Sequence, residues 1–365
     1  MLDHSKVRLI AFYLPQYHPI PENDQWWGDG FTEWTNVAKA KPLFSGHYQP
    51  HLPGELGFYD LGSAEVRQAQ AELARSHGIF GFCYYHYWFG GKRLLEKPLE
   101  EVLSSQQPEF PFCLCWANEN WTRTWDGQDE EVLMPQCYSQ EDDIRHILFL
   151  CKVFKDKRYI KIDGKPLFLI YRADKLPDFR RTAALWRDVA RREGVGEIFL
   201  ALVDHGNKSI HDVCTDAKLD ASVEFQPIWY KPENGLYFVR RVVNKLIPWT
   251  RRHWPFFSHC VVDYEKIARH AMKKRSASYK QFPCVAVGYD NSPRKSRDAF
   301  IARGSSPEKY GMWLRATIAK IHKKFKGDER IVFINAWNEW AEGNHLEPDK
   351  RWGRAYLEAT QKALS

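Results

Sequence analysis

The stretch Arg330–Gly343 reads RIVFINAWNEWAEG and joins a short apolar run to a polar, aromatic turn. Its first half is β-branched and apolar, which is typical of a strand buried on both faces. Its second half places two carboxylates, Glu339 and Glu342, three residues apart between tryptophans. A carboxylate beside indoles is costly to desolvate, so this turn must supply polar partners or use the altered acidity of the pair.

Seven similar apolar runs precede this one, and amphipathic stretches with a helical period separate them. The runs span residues 8–18, 78–89, 111–121, 166–174, 197–206, 220–230 and 282–291, and the helical stretches span 64–77, 141–154, 179–193, 264–274, 307–325 and 347–364. This alternation predicts an α/β fold, a single (β/α)8 TIM-type barrel that fills residues 1–365 as one domain. Residues 19–62 and 231–260 fit this pattern least and are interpreted as long loops at the C-terminal rim.

A doubly wound open sheet is the alternative architecture. It is disfavoured because no glycine-rich phosphate turn follows an early strand. The segment GDG at 28–30 lacks the strand and helix that such a turn requires, and it is better interpreted as a simple turn.

The composition is rich in aromatic residues, with 15 Trp, 17 Tyr and 22 Phe in 365 residues. Aromatic side chains at this density suit a cleft that stacks on flat apolar ligand faces. The net charge of +7 comes from basic residues in local helical stretches, and no nucleic-acid-binding motif is present. We therefore expect no nucleic-acid partner, while peripheral contact with an anionic membrane or a lipid-linked glycan stays open.

The N-terminal segment has no long apolar core or small-residue cleavage site, and no apolar run approaches 18 residues. The cysteines are scattered through apolar segments, which favours reduced thiols. These features predict a cytoplasmic protein, with membrane association left open. The sequence does not indicate an oligomeric state.

In a (β/α)8 barrel the site lies at the carboxyl ends of the strands. Here those ends carry aromatic, amide and acidic side chains, which can stack on sugar rings and hydrogen-bond to hydroxyl groups. We therefore predict an oligosaccharide or polysaccharide substrate. The residues predicted to bind it are Tyr13, His18, Glu33, Trp34, Tyr85, His86, Trp88, Trp116, Asn118, Glu119, Trp121, Asp204, Glu224, Trp229, Tyr289, Asp290, Trp337 and Asn338.

Two of these residues, Glu33 and Trp34, belong to the loop DQWWGDGFTEWTNV at 24–37, which is interpreted as a substrate wall rather than a packed lid. His18, His86, His205 and His345 follow different strands without the spacing of a metal motif. Neither a metal nor another cofactor is predicted.

Glycosyl transfer needs an acid for the leaving oxygen and a second carboxylate that acts as nucleophile or base. Residues three apart in a turn have Cβ atoms roughly 5–6 Å apart, so Glu339 and Glu342 can address one bond. The alternative is that Glu339 is an ion-pair partner at the rim and Glu342 a carboxylate at a helix N-terminus. The position of both residues at the end of the eighth strand favours catalysis.

Several stretches resemble glycoside hydrolase family 99 and, more closely, the WbsX-like proteins encoded with bacterial surface-polysaccharide genes. NEWAEGNHLEP at 338–348 is similar to the NEWHEGTQIEP-type motif of that family. Other similar stretches follow the same order: FYLPQYH (12–18), HLPGELGFYDL (51–61), GIFGFCYYHYWF (78–89), PLFLIYRAD (166–174) and VGYDNSPR (287–294). The likeness spans nearly the whole chain, and the combination is specific.

The resemblance implies a (β/α)8 barrel that acts with retention and without a metal. It implies that Glu342 is the general acid/base for the glycosidic oxygen and that Glu339 deprotonates the sugar 2-hydroxyl. The 2-oxygen then attacks the anomeric carbon to give an epoxide-like intermediate. Because burial beside Trp337 and Trp340 disfavours charge, we expect Glu342 to hold its proton and Glu339 to stay ionised.

The chain departs from the family at Ala341, where a histidine usually separates the two carboxylates. A mannose-specific subsite is therefore not implied. The leading hypothesis is a retaining glycoside hydrolase that cleaves an α-linked, mannose- or rhamnose-type bacterial polysaccharide or oligosaccharide. The alternative is a glycosyltransferase of O-antigen or capsular polysaccharide biosynthesis, although no D-x-D motif or phosphate-binding turn is present. The third candidate is a non-catalytic carbohydrate-binding protein, which the presence of both carboxylates disfavours.

Overall fold

The strands of the protein form one large parallel sheet surrounded by helices. A computed structural model describes residues 7–123, 128–206, 217–228, 230, 259–274, 277–295 and 297–365. The strands of the sheet are β1 (Arg8–Tyr13), β2 (Ile79–Phe89), β3 (Phe112–Trp116), β4 (Lys165–Ile170), β5 (Phe199–Asp204), β6 (Ala221–Glu224), β7 (Gln281–Phe282 and Cys284–Ala286) and β8 (Ile331–Asn335). Each strand pairs in parallel with the next one in the chain.

The ring closes through β7, which Pro283 divides into two short pieces. The first piece pairs with β6, where Val223 lies opposite Phe282, and the second pairs with β8. Pro283 has no N–H to donate, but its carbonyl accepts a 2.9 Å bond from the Phe333 N–H. Because β8 also pairs with β1, the strands form the (β/α)8 barrel that the alternation of apolar runs predicts.

Nine α-helices lie within the described residues. They are α1 (Pro21–Trp27), α2 (Glu33–Lys39), α3 (Ala64–Ser76), α4 (Lys97–Ser105), α5 (Gln140–Phe154), α6 (Phe179–Arg192), α7 (Tyr264–Lys273), α8 (Pro307–Lys324) and α9 (Ala355–Leu364). Side-chain oxygens of Ser63, Ser139, Asp178 and Ser306 accept N–H groups in the first turns of α3, α5, α6 and α8, which fixes where these helices begin.

Short two-stranded pairings decorate the barrel. Their strands are Lys92–Leu94, Trp121–Arg123, Gln128–Met134, Lys161–Ile162, Cys260–Asp263, Phe300–Arg303, Asn338–Glu339 and Asn344–His345. The long loop expected at 19–62 contains α1 and α2. Of the loop expected at 231–260, only residues 259 and 260 lie within the described residues.

The helical periods predict five helices to within about a residue at each end, but the last prediction is wrong in its first half. The helix expected over 347–364 begins only at Ala355. Pro348 disfavours helical backbone in the residue before it, and Gly353 adopts a φ of 51°. The segment between them is a series of turns that places Glu347 in the interior, where it is 2% exposed.

Aromatic side chains fill the inside of the barrel. Phe12 on β1 packs against Phe225 beyond β6 and Phe333 on β8, with ring centroids 5.3 and 5.5 Å away. Tyr85 on β2 stacks on the Phe12 ring, with ring centroids 5.6 Å apart. This layer closes the barrel beneath the carboxyl ends of the strands, so any ligand must bind above it.

Both ends of the described chain lie at the opposite end of the barrel. The N–H of Arg8, at the start of β1, donates to the carbonyl of Arg330, just before β8. In the last turns of α9, Gln361 donates to the carbonyl of Ser76, at the end of α3. No helix among the described residues is long and apolar enough to cross a membrane.

The contact between β2 and the start of β3 leaves no space at Gly81. A Cβ atom there would lie 2.6 Å from the backbone oxygen of Pro111, which cannot move aside as a side chain can. We expect Gly81→Ala to lower the free energy of unfolding by about 1–3 kcal/mol, the usual cost of overpacking. Gly311→Ala on α8 is the control, because its Cβ would meet Ala359 at an ordinary 3.4 Å. Urea denaturation that shows equal stabilities for the two variants would contradict this packing.

Candidate active site

A cavity of about 330 Å³ opens at the carboxyl ends of the barrel strands. Six of the residues predicted to act there line it: Tyr85, Glu119, Trp121, Tyr289, Glu339 and Glu342. The cavity wall also contains aromatic residues that the sequence analysis did not select, namely Trp27, Tyr87, Tyr171 and Phe225. The cavity therefore combines carboxylates with flat apolar surfaces, as a sugar site requires.

The turn after β8 carries the two glutamates. Residues Asn338–Glu339 pair antiparallel with Asn344–His345, and a single 3-10 turn, Trp340–Glu342, connects them. The Asn338 side chain accepts the N–H of Leu14 at 2.7 Å and donates to the Leu14 carbonyl at 2.9 Å. It thus fixes the turn to the end of β1 and positions Glu339.

One guanidinium group joins three carboxylates in this cavity. Arg294, in the loop after β7, donates from Nε to Glu33 at 2.8 Å. Its two terminal nitrogens donate to Glu339 at 2.9 Å and to Glu342 at 2.7 Å. The Arg294 side chain is only 15% exposed, so these charge-assisted bonds act in a partly desolvated site. Both glutamates are therefore held against the same small volume.

Glu33 does not line the cavity, but it accepts a hydrogen bond from Arg294. It is fully buried at the start of α2, and its bonded oxygen also accepts a 3.3 Å bond from Asn36. Within the loop 24–37, Trp27 lines the cavity, whereas the Trp34 indole is buried and donates to the Tyr59 carbonyl at 2.7 Å. The loop therefore supplies one wall residue and one charge that positions Arg294.

The electrostatics of the cluster favour one retained proton. With all three carboxylates ionised, the Arg294 guanidinium would offset only one of their three negative charges. Lys295 also lines the cavity, and its charge opposes the rise in the pKa of Glu342. Burial raises the pKa of Glu339 to about 8, and repulsion from Glu342 and Glu33 adds to this effect while Arg294 opposes it. Burial likewise raises the pKa of Glu342. The pair titrates as a unit, with an acid and a base available near neutral pH.

The structure corrects the expectation that Trp337 and Trp340 raise the pKa of Glu342 and keep it protonated. Trp337 is fully buried and packs on Phe82, and the Trp340 indole donates to Glu347, so neither indole governs the glutamate pair. Glu339 is the deeper carboxylate, with 8% of its side chain exposed against 19% for Glu342. Burial therefore favours the resting proton on Glu339, not on Glu342.

Side-chain alternation along β2 separates cavity residues from packing residues. Tyr85 and Tyr87 line the cavity, while His86 and Trp88 point towards α5. There His86 contacts His146 at 3.1 Å, and the Trp88 indole donates to Asp142 at 3.0 Å. Neighbouring residues of a strand face opposite sides of the sheet. His86 and Trp88 therefore point away from the cavity, and this geometry does not support the substrate contacts predicted for them.

Three more predicted contacts near β1 and β3 are also buried away from the cavity. The Tyr13 hydroxyl donates to Gln70 at 2.7 Å, and His18 Nδ1 lies 2.9 Å from the Pro15 carbonyl oxygen. The Trp116 indole donates to the Trp88 carbonyl at 3.2 Å. These side chains support the strands rather than the cavity wall.

Other predicted residues organise the rim. The Asn118 side chain pairs with the backbone N–H and carbonyl of Arg172, which fixes the ends of β3 and β4 together. Asp204 accepts from Tyr279 and Gln281 at 2.9 and 2.8 Å.

Two more predicted residues, Glu224 and Asp290, do not line the cavity. Glu224 forms an ion pair with Lys274 at 3.0 Å. Asp290 accepts from His47 and from Gln49. Trp229 lies outside the described residues.

Arg294 is the principal residue that the sequence analysis missed. It lies in VGYDNSPR, a stretch used only for its resemblance. A signal was available, since several acids gathered at one rim need a nearby cation, and this arginine follows the end of a barrel strand. The sequence does not show which of its many basic residues would meet that need.

The (β/α)8 barrel hosts many chemistries, and the carboxylates and aromatic rings in this cavity suit a carbohydrate ligand. The chain belongs to the family described as Glycosyltransferase WbsX, which matches residues 9–360. It is 44% identical over 357 residues to uncharacterized WxcX proteins from two strains of Xanthomonas campestris pv. campestris. The match covers 98% of this chain and 49% of theirs, so the chain spans about half the length of these relatives.

Solved structures share the fold. A GH99 endo-alpha-mannosidase from Bacteroides thetaiotaomicron, solved with bis-tris-propane, aligns with a TM-score of 0.57 at 15% identity, covering 98% of this chain and 96% of that one. A glycoside hydrolase-like protein aligns with a TM-score of 0.58 at 13% identity, covering 99% and 94%. At these identities the likeness establishes the (β/α)8 barrel.

Removing the guanidinium should destabilise the protein in a pH-dependent way. We expect Arg294→Met to lower the free energy of unfolding by about 3–5 kcal/mol near pH 8, because buried carboxylates lose their partner. The folded-state pKa of Glu339 is raised, so its contribution to stability is present at acidic pH and lost as the pH rises towards about 8. The loss in the variant should therefore be clearly smaller near pH 5, where the carboxylates can take up protons.

Denaturant unfolding at both pH values measures this difference. Arg354→Met is the control, because its ion pair with Glu55 is exposed and should change stability little at either pH. An equal loss at both pH values for Arg294→Met would show that only side-chain packing was removed.

Proposed function

We propose that the protein is a retaining glycoside hydrolase that cleaves an α-linked bond in a bacterial polysaccharide or oligosaccharide. The observation that carries this proposal is the pair Glu339 and Glu342, which one guanidinium holds together in an aromatic-lined cavity. Burial raises the pKa of both carboxyl groups. Two carboxylates that titrate as a pair can supply the acid and the base that glycoside cleavage needs. The membership of a family of carbohydrate-active proteins supports the substrate class.

The roles within the pair follow from their depth. Glu342 is the more exposed carboxylate, so a leaving oxygen on the solvent side of the bond can reach it. Glu339 lies deeper, where it can contact the 2-hydroxyl of the sugar above the aromatic layer. The reactive form then carries the shared proton on Glu342, and Arg294 contacts both carboxylates in either arrangement.

In the first step, Glu339 accepts the 2-hydroxyl proton and the 2-oxygen attacks the anomeric carbon. The glycosidic bond breaks as Glu342 gives its proton to the leaving oxygen. In the second step, Glu342 takes a proton from water, which attacks the anomeric carbon and opens the strained ring. Glu339 returns its proton to the 2-oxygen, and both carboxylates regain their starting states.

The cavity wall supports a ring-stacking mode of binding. The aromatic residues Tyr85, Tyr87, Tyr171, Trp27 and Trp121 line the cavity, and the rings of Tyr87 and Trp121 contact each other, with ring centroids 5.2 Å apart. Each stacked ring contributes on the order of 1 kcal/mol, by analogy with aromatic pairs. Specificity for a mannose- or rhamnose-type sugar is part of the proposal and rests on the resemblance.

A glycosyltransferase is the second candidate, because the matching family is described by that activity. The same pair would then activate a sugar hydroxyl instead of water in the second step. The donor and the acceptor separate the two functions, since synthesis from a nucleotide sugar releases nucleoside diphosphate and extends the acceptor chain.

Product analysis with defined substrates separates these functions. The purified chain is incubated with α-mannan- and rhamnan-type oligosaccharides and, separately, with nucleotide sugars plus the same oligosaccharides. Mass spectrometry should show shortened chains and no release of nucleoside diphosphate. Proton NMR of the product that forms first should show an unchanged anomeric configuration. Chain extension with nucleoside diphosphate release would replace hydrolysis by synthesis, and binding without any product would support the non-catalytic alternative.

The amide variants of the pair test the assigned roles. Glu339→Gln and Glu342→Gln should each lower kcat/KM by at least ~10²-fold, the scale of a lost general acid or base. Glu342→Gln should recover most on aryl glycosides with good leaving groups, since these need no protonation. Glu339→Gln should stay slow on all substrates.

Glu119→Gln is the matched control, because Glu119 lines the same cavity but pairs with Arg172. Its effect should be much smaller and independent of the leaving group. If recovery occurs in Glu339→Gln instead, the acid and base are exchanged. Near wild-type rates in both amide variants would remove the pair from catalysis.

A further inference from the structure

A second cavity, of about 140 Å³, lies behind the turn that carries the catalytic glutamates. It separates the segment 46–51 from the turns between Gly343 and Trp352. Three potential metal ligands converge there, namely His51, His345 and Asp349, with one ligand atom of each within 4.8 Å of the others. His51 Nδ1 and His345 Nε2 are 2.9 Å apart.

The His345 ring is oriented as a metal ligand would be. Its Nδ1 lies 3.0 Å from the Glu347 carbonyl oxygen, which can only accept, so Nδ1 carries the hydrogen. Its Nε2 therefore presents a lone pair to the cavity. The Trp340 indole stacks on this ring at 3.7 Å with an interplanar angle of 15°, which fixes the ring plane. Metal-binding histidines typically show this second hydrogen bond to a carbonyl or carboxylate.

Asp349 is positioned in a similar way. Its Oδ1 accepts the backbone N–H groups of Arg351 and Trp352, and this fixes the carboxylate plane. Its Oδ2 accepts a 3.0 Å bond from the hydroxyl of Tyr48, which can rotate away when a cation binds. The residue is 4% exposed, so its charge is poorly served by solvent.

We propose that His51, His345 and Asp349 bind a Zn²⁺ ion that holds the segment 46–51 to the catalytic turn. A single hydrogen shared between the two rings is the only group that the ion must displace from His51 Nδ1 and His345 Nε2.

The donor set selects the metal. Two imidazole nitrogens and one carboxylate oxygen suit zinc, whereas Mg²⁺ and Ca²⁺ prefer oxygen ligands alone. Tetrahedral zinc with bonds of about 2.0–2.1 Å places its ligands roughly 3.3 Å apart, so the two nitrogens must separate by a few tenths of an ångström. The cavity leaves the fourth position to a water molecule.

The proposed ion would fix the position of the turn that carries Glu342 and would not contact the sugar. Gly343 lines this cavity and directly follows Glu342, whose carbonyl accepts the N–H of Asp290 at 2.5 Å. Asp290 in turn contacts His47 at 2.6 Å, within the segment that the ion would hold. Zinc would thus connect two chain segments directly, and the contacts of Asp290 join a third segment to them behind the catalytic carboxylates. The site is independent of the substrate and of the reaction assigned above.

Metal content and thermal stability test the site without any substrate. The full chain is treated with a chelator, reloaded with ZnCl₂ or MgCl₂, and freed of unbound metal. Elemental analysis should find equimolar zinc and no retained magnesium. Saturating zinc should raise the Tm by about 3 °C or more, as expected for a ligand that binds only the folded state.

His51→Ala is the decisive variant, because His51 is only half-buried and its loss should leave the fold intact. It should lose the bound zinc and the zinc-dependent rise in Tm. His322→Ala, which removes an exposed histidine from the last turn of α8, should keep both. A Co²⁺-loaded wild-type chain should show the visible absorption of tetrahedral cobalt, which checks the geometry without a variant. Absence of retained zinc in the wild type, or equal zinc in His51→Ala, would overturn the proposal.

Discussion

Three carboxylates can share one buried volume only when a cation lies among them, and Arg294 is that cation. Its three nitrogens contact Glu33, Glu339 and Glu342, which come from α2 and from the turn after β8. Because these segments are far apart in the chain, the barrel must hold them at one rim before the contacts can form. Burial and the charge of Glu33 raise the pKa of both Glu339 and Glu342, while Arg294 opposes this rise.

The barrel itself was predictable from the sequence, since buried strands must be continuous apolar runs and their helices must have one apolar face. Runs such as 331–334 and 199–203 are too short for buried helices and are rich in β-branched or aromatic residues, which favours strands. The closing strand was less secure, because Pro283 divides β7 into pieces of two and three residues. In the sequence, a run interrupted by proline predicts a strand only weakly. The pairing of the two pieces with β6 and β8 shows that the ring is complete.

The site was predictable in its location and in its two glutamates, but not in the direction of each side chain. Tyr85 and His86 both lie near the end of β2, so the sequence predicts both as site residues. Because side chains alternate along a strand, only Tyr85 lines the cavity. The pKa values of Glu339 and Glu342 could not be inferred from the neighbouring tryptophans, because the Trp340 indole donates its hydrogen bond to Glu347. Glu347 is buried with a pKa raised to about 7 by burial, and it accepts from Tyr59, Gln70 and Trp340. Such a network depends on segments that the sequence does not relate.

The geometry of the chain ends bears on how this barrel can exist within longer polypeptides. The start of β1 and the last turns of α9 lie at the end of the barrel opposite the cavity, near Arg330 and Ser76. Both ends of the barrel thus lie away from the mouth of the cavity. This geometry is compatible with a barrel that forms one part of a longer polypeptide, and the relatives that it matches are about twice its length.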